Sequence, residues 1–246
     1  MAQAPVTLFL FPYAGGNGNI FRPWLSQLPA WIRPVPVSLP GRGARYSEPP
    51  VTTWPEAITD IHQQISGHIS GQYAIFGHSL GAILGYEIAK LLMRSGYSSP
   101  LWFCASGCAA PACKEWDDHW LNCPDEEFIE RLRELSGTPP ELLENEELLK
   151  LILPVLRADF HLSGTYQFTA QPRLHCPVHV LRGTGDDEVN EKEGSLDKWS
   201  EITVSPDFSS TTIEGGHFFL RTSQDAVIHD VVTHLAMVRA GRHEHV

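Results

Sequence analysis

The sequence predicts an α/β fold: a mostly parallel, doubly wound sheet with an inserted helical lid. Three observations carry that expectation. Short apolar runs recur along the chain, helix-like patterns separate most of them, and one long stretch holds helices without strands. Near-continuous apolar runs are what a parallel sheet covered on both faces requires, and their alternation with helices implies βαβ units.

The expected strands are VTLFLF (6–11), VPVSL (35–39), YAIFG (73–77), LWFCAS (101–106), VHVLRG (178–183) and STTIEG (210–215). Between them, WPEAITDIHQQISGHI carries an early Pro55, and LGAILGYEIAKLLMRSG stops at Gly96. SQDAVIHDVVTHLAMV follows the last strand; proline near a helix start and glycine at its end are boundary signals. The exception is 111–172, read as a helical lid inserted within a single domain spanning 1–246. There PDEEFIERLRELSG and PELLENEELLKLILPVLRADF look helical, and Phe128, Leu132 and Leu135 fall on one face. That face can pack on the sheet domain, cover a pocket as a mobile lid, or do both. The tail RAGRHEHV is expected to fray.

Composition narrows the function classes. A chain of 246 residues with 42% hydrophobic and 19% charged residues has enough apolar mass for a sizeable core. Its formal net charge of -11 argues against nonspecific binding to nucleic acid or anionic membranes. The N-terminus lacks a basic leader and no apolar run is long enough to span a bilayer, so a cytoplasmic location is expected. Cys104, Cys108, Cys113, Cys123 and Cys176 are odd in number and lack a C-x-x-C pair, which fits reduced, buried thiols and no metal cluster.

The chemistry is concentrated in YAIFGHSLGAILGYEIA. Ser79 sits between Gly77 and Gly81 where a strand gives way to a helix. A strand turning straight into a helix raises the side chain at its apex, and the glycines relieve the collisions such a turn creates. The helix N-terminus behind the serine favours a developing oxyanion. A serine nucleophile needs a base and an orienting acid, in the chain order Ser, Asp/Glu, His for this architecture. His217 closes TIEGGHFFL after a strand and two glycines, and is the expected general base. His229, His234, His243 and His245 fall in the last helix or the tail, and His78 is expected to point away from the elbow.

For the acid, VHVLRGTGDDEVN supplies Asp186, Asp187 and Glu188 directly after a strand; Asp186 is the choice and Asp187 the alternative. The oxyanion hole needs two backbone N–H groups. Leu80 follows the nucleophile, and in FPYAGGNGN Tyr13 is the first donor after Pro12, with Ala14 next. Those glycines match neither a P-loop nor a dinucleotide fingerprint, so no phosphate loop is expected.

FPYAGG, LPGRGARYSEPP, FGHSLGA, LPVLRADFHLSGTY and GGHFFL, in that order, resemble the type II thioesterases of bacterial nonribosomal peptide and polyketide synthesis. The resemblance runs from about residue 6 to 235 and implies an α/β-hydrolase fold. It also implies an editing enzyme that removes stalled or wrong acyl groups from the phosphopantetheine thiol of carrier domains. The catalytic roles it implies fall on Ser79, Asp186 and His217, with GTGDD standing where the family often has G-D-x-D before the acid. No soluble cofactor or metal is expected, because the phosphopantetheine arm belongs to the substrate, and a monomer is expected. Trp116, Trp120, Phe128 and Phe160 are expected to form the acyl site, and exposed Arg42 or Arg45 to meet acidic carriers. A general carboxylesterase or acyl-CoA hydrolase would share the same triad. A nonenzymatic partner protein on the same fold would be expected to lack part of it.

Overall fold

The computed structural model describes residues 4–135, 143–190 and 194–241. Its strands are β1 (Val6–Phe11), β2 (Ile32–Pro36), β3 (Tyr73–His78), β4 (Phe103–Ser106), β5 (Val178–Gly185) and β6 (Phe208–Gly216). They form one sheet in the order β2-β1-β3-β4-β5-β6, with every neighbouring pair parallel. Parallel neighbours require crossovers. Helix α1 (Trp54–Ile65) links β2 to β3, and α2 (Leu80–Arg94) links β3 to β4. Helices α3 (Asp125–Glu134) and α4 (Glu146–Gly164) lie between β4 and β5. The short α5 (Asp187–Asn190) follows β5, and α6 (Phe219–Thr222) and α7 (Gln224–Gly241) follow β6.

Alternate residues of each central strand feed opposite cores, as the two-residue period of a strand dictates. Phe9, Phe11 and Ile75 pack with α1 and α2 through Ile61, Ile83 and Ile88. Leu8, Leu10 and Phe76 pack on the other face with Val227, Val231 and Leu235 of α7. Each fully buried side chain of this size contributes roughly 1.5–3 kcal/mol. The chain steps from β1 to β2 on one side and then to β3 on the other, which makes the C-terminal end of β1 and β3 the topological switch point.

Two local expectations change, and one further element was not expected. Strand β2 runs Ile32–Pro36, earlier than the expected VPVSL, because its register pairs Val6 with Ile32 and Leu10 with Pro36. An edge position tolerates Pro34 and Pro36, whose missing N–H groups need no second neighbour. Between β1 and β2, Gly18–Ser26 forms a 3-10 helix that buries Phe21 and Trp24, a device its glycine-rich start conceals. Finally, the apolar face of α3 packs on α4 rather than on the sheet, Phe128 and Leu132 sharing a small core with Leu149, Leu153 and Leu156, while Leu132 and Leu135 also line the cavity that Ser79 and His217 front, as the pocket-covering alternative expected.

Among the described residues 111–172 carry no strand. The start of the expected second lid helix, residues 140–142, and the tail histidines His243 and His245 lie outside the described residues. No helix of the described residues is long and apolar enough to cross a membrane.

Candidate active site

Ser79 sits between the end of β3 and the first turn of α2 with φ 55° and ψ -122°, and among the described residues no other non-glycine has a positive φ. Such a backbone costs about 1–3 kcal/mol and persists only where its surroundings enforce it. The flanking glycines show how. A Cβ on Gly77 would lie 2.3 Å from the carbonyl oxygen of Gly81, and one on Gly81 would lie 2.3 Å from that of Phe11. The Ser79 N–H donates to the Ser106 carbonyl at 2.8 Å, tying the elbow to β4.

His217 comes off the end of β6 and Asp186 off the end of β5, two paired neighbours in the sheet. His217 Nε2 lies 3.1 Å from Ser79 Oγ, and Nδ1 lies 3.0 and 3.1 Å from the two Asp186 carboxylate oxygens. With Nδ1–H donating to the carboxylate, Nε2 is left to accept the serine proton. Asp186 is 1% exposed, and its carbonyl accepts from Val189 and Asn190 at the start of α5, which fixes its backbone. Asp187 is exposed and opens α5 instead. The structure thus brings Asp186, and not Asp187, to the imidazole; the Glu188 side chain lies outside the described residues.

His78 plays a larger part than its sequence position suggests. It is wholly buried, and burial, with the neighbouring His217 adding to it, holds its pKa well below the ordinary histidine range. The neutral ring donates from Nε2 to the His217 carbonyl at 2.9 Å and accepts at Nδ1 from Ser106 Oγ at 2.8 Å. One residue of β4 therefore grips the nucleophile through its carbonyl and the loop of the base through His78. The signal was present in the sequence as a polar residue closing the apolar run YAIFGH.

Leu80 is the first residue of α2, so its N–H has no partner within the helix. Tyr13 follows β1 in a turn closed by the Gly16 N–H donating to the Tyr13 carbonyl at 2.9 Å. The close approach of Gly81 to Phe11 and Pro12 brings this segment against the first turn of α2. The Tyr13 ring stands edge-on to His78 and Phe218. Burial raises the pKa of its hydroxyl, opposed by a hydrogen bond with Arg221.

Ser79 and His217 front two cavities. One, of about 460 Å³, is lined also by Tyr13, Leu80, Trp120 and Phe160. The other, of about 440 Å³, is lined also by Gly107, Cys108, Lys114 and Val189. Two of the expected acyl-site aromatics are elsewhere. Trp116 is 57% exposed and lines a separate groove with Trp54, while Phe128 is consumed by the core between α3 and α4. The expected arginine docking pair also fails on burial and pairing. Arg42 is buried against Asp159, and Arg45 is held by Glu48 and Asp60.

A possible cation cluster lies away from this site: ligand atoms of His179, Asp230 and His234 come within 4.8 Å of one another. The two imidazoles are stacked with centroids 3.8 Å apart, so their in-plane lone pairs cannot converge on one ion unless a ring turns. Burial pushes the Asp230 pKa up, but the hydrogen bonds from His179 and Thr211 and the charges of His179 and His234 together bring it below the ordinary value.

The chain is similar to known thioesterases over nearly its whole length. The thioesterase domain family matches residues 6–235. The gramicidin S biosynthesis protein GrsT of Aneurinibacillus migulanus is 35% identical, the alignment covering 97% of this chain and 92% of that protein. Thioesterase PikA5 of Streptomyces venezuelae is 31% identical, covering 96% and 83%. Among solved structures, ClbQ from the colibactin NRPS/PKS pathway superposes with a TM-score of 0.89 at 29% identity, covering 96% of this chain and 99% of that one. The type II thioesterase BorB from the borrelidin biosynthetic cluster gives 0.83 at 31%, covering 96% and 94%.

Proposed function

The chain belongs to the thioesterase domain family, and from that premise we propose that it is an editing serine thioesterase acting on acyl groups held by the phosphopantetheine thiol of carrier domains. The observation that carries this reading is the unbroken hydrogen-bonded run from Asp186 through His217 to Ser79, ending on a strained elbow that opens into a cavity. Relatives named for gramicidin S biosynthesis and for an NRPS/PKS pathway support the choice of a carrier-bound substrate.

In this mechanism His217 Nε2 takes the Ser79 proton as the alkoxide attacks the thioester carbonyl carbon. The Tyr13 and Leu80 N–H groups hold the resulting oxyanion, and Asp186 holds the Nδ1 proton and stabilises the imidazolium. Collapse of the tetrahedral intermediate breaks the C–S bond, and the departing pantetheine thiolate takes the proton from the His217 imidazolium, leaving the thiol and a neutral base. Because a thiol has a pKa near ~8.5, its departure needs little help from an acid. A water then gives a proton to His217 and attacks the acyl-serine, and the acid product leaves as Ser79 regains its proton. The reaction uses no metal and no soluble cofactor; the phosphopantetheine arm arrives with the substrate. We assign the acyl group to the cavity beside Trp120 and Phe160, and a carrier domain as the partner of a monomeric, cytoplasmic enzyme.

The test is release of acetate from an acetyl-loaded carrier protein, beside acetyl-CoA and a simple ester, for wild type and Ser79→Ala. Faster release from the carrier, lost in Ser79→Ala, is the expected result. Equal or faster hydrolysis of acetyl-CoA or the ester would make the chain a general acyl hydrolase instead.

A further inference from the structure

The lid helix α4 does more than cover the site: it holds the loop that carries Tyr13. Asp159 of α4 has no exposed side-chain surface and Arg42 only 5%. The Asp159 carboxylate accepts the Gly15 N–H at 2.6 Å and both Arg42 guanidinium nitrogens, Nη2 at 2.8 Å. Arg42 also donates to the carbonyl of Pro40 at 3.2 Å and to that of Gly16 at 3.4 Å. One turn earlier on the same helix, Leu156 lies where a Gly15 Cβ would be, with Cδ2 at 2.4 Å from that position. Gly15 is therefore gripped from above by two residues of α4, two positions after Tyr13.

A buried ion pair is weak as a stability device, because desolvating both charges cancels much of their attraction and an apolar pair of similar size serves as well. What this pair supplies is geometry. It joins the loop after β1, the loop after β2 and the lid helix at one point beside the elbow. Resting on the mechanism above, we propose that Asp159 and Arg42 are positioning residues: they seat α4 on the Gly15–Gly16 turn and so aim the Tyr13 N–H at the oxyanion. An oxyanion donor contributes about 10²–10³ in rate, and a misplacement of about 1 Å costs on the order of 10²-fold.

The test compares wild type with the double variant Arg42→Met/Asp159→Leu, which removes both charges and leaves no uncompensated ion. The substrate is the acetyl thioester of N-acetylcysteamine. The probe is a trifluoromethyl ketone that adds to Ser79 and presents an oxyanion to the same two N–H groups. The expected result is an unfolding temperature close to wild type, kcat lower by roughly 10- to 100-fold, and KM within about threefold. Ketone affinity is expected to fall by the same factor as kcat. A folded double variant with kcat and ketone affinity within about threefold of wild type overturns the proposal. If the double variant does not fold, Asp159→Asn keeps the shape and one acceptor oxygen and is measured well below its own unfolding temperature. A joint fall of kcat and ketone affinity supports the proposal, and a lowered unfolding temperature with both unchanged overturns it. A wild type inactive on the thioester, or a Ser79→Ala variant still bound covalently by the ketone, defeats the underlying mechanism and separates that failure from this one.

Discussion

Two serine–histidine–aspartate chains run through this protein. Ser79, His217 and Asp186 form one, with contacts of 3.1 and 3.0 Å. Ser209, His179 and Asp230 form the other, at 2.7 and 2.9 Å. By distance alone the second is the tighter. Yet Ser209 lies within the edge strand β6, with no helix N-terminus behind it, and His179 is buried and stacked on His234. The first chain has a positive-φ serine, the N–H groups of a helix start beside it, and cavities in front of it. Hydrogen-bonded contact among three residue types is therefore not itself a catalytic site. Preorganised donors and room for a substrate are what distinguish one.

The comparison breaks most sharply at the serines. Ser79→Ala is expected to lower kcat by on the order of 10⁴- to 10⁶-fold, while Ser209→Ala leaves it unchanged and lowers stability by about 1 kcal/mol, both read by thioester hydrolysis and urea unfolding. At the acid, Asp186→Asn is expected to cost about 10⁴-fold by removing the partner that fixes the His217 tautomer, whereas Asp187→Asn, on the exposed start of α5, changes kcat by less than about threefold. Equal losses from the two variants would show that the acid has been misassigned.

Smaller effects sharpen the role of the support behind the site. His78→Phe removes the donor to the His217 carbonyl and is expected to lower kcat about 10-fold with KM little changed; His78→Gln, which restores a donor, recovers part of the loss. The same histidine sets a pH dependence. Its folded pKa lies below the unfolded value of 6.5, so the unfolded chain binds a proton that the folded one refuses. Stability is full above that unfolded value and falls as the pH drops from it towards the folded pKa. Urea unfolding at about pH 7 and about pH 5.5 is expected to show a smaller difference for His78→Gln than for wild type.

Much of this architecture was legible because strands and helices leave a periodic trace, and because the elbow needs glycine at two fixed offsets from the serine. Gly77 and Gly81 announced a close approach that the contacts with Gly81 and Phe11 then explain. What the sequence concealed depends on partners far along the chain. Arg42 reads as a surface charge until Asp159, 117 residues away, is folded against it. Trp116 and Trp120 are four residues apart and both aromatic, yet one is exposed and the other lines the cavity, a difference set by how the lid segment turns. Strand β2 shifted because its register is fixed by β1 rather than by its own apolar pattern. Nothing local to His78 reveals that the His217 carbonyl arrives from 139 residues away.

The most direct measurement is to label the intact protein with a fluorophosphonate, whose fluoride leaves as a serine oxygen attacks phosphorus, and to map the adduct by peptide mass spectrometry. The account predicts one adduct, on Ser79, absent from Ser79→Ala and unaffected by Ser209→Ala. Labelling of Ser209, or none on Ser79 in protein that hydrolyses thioesters, would contradict it.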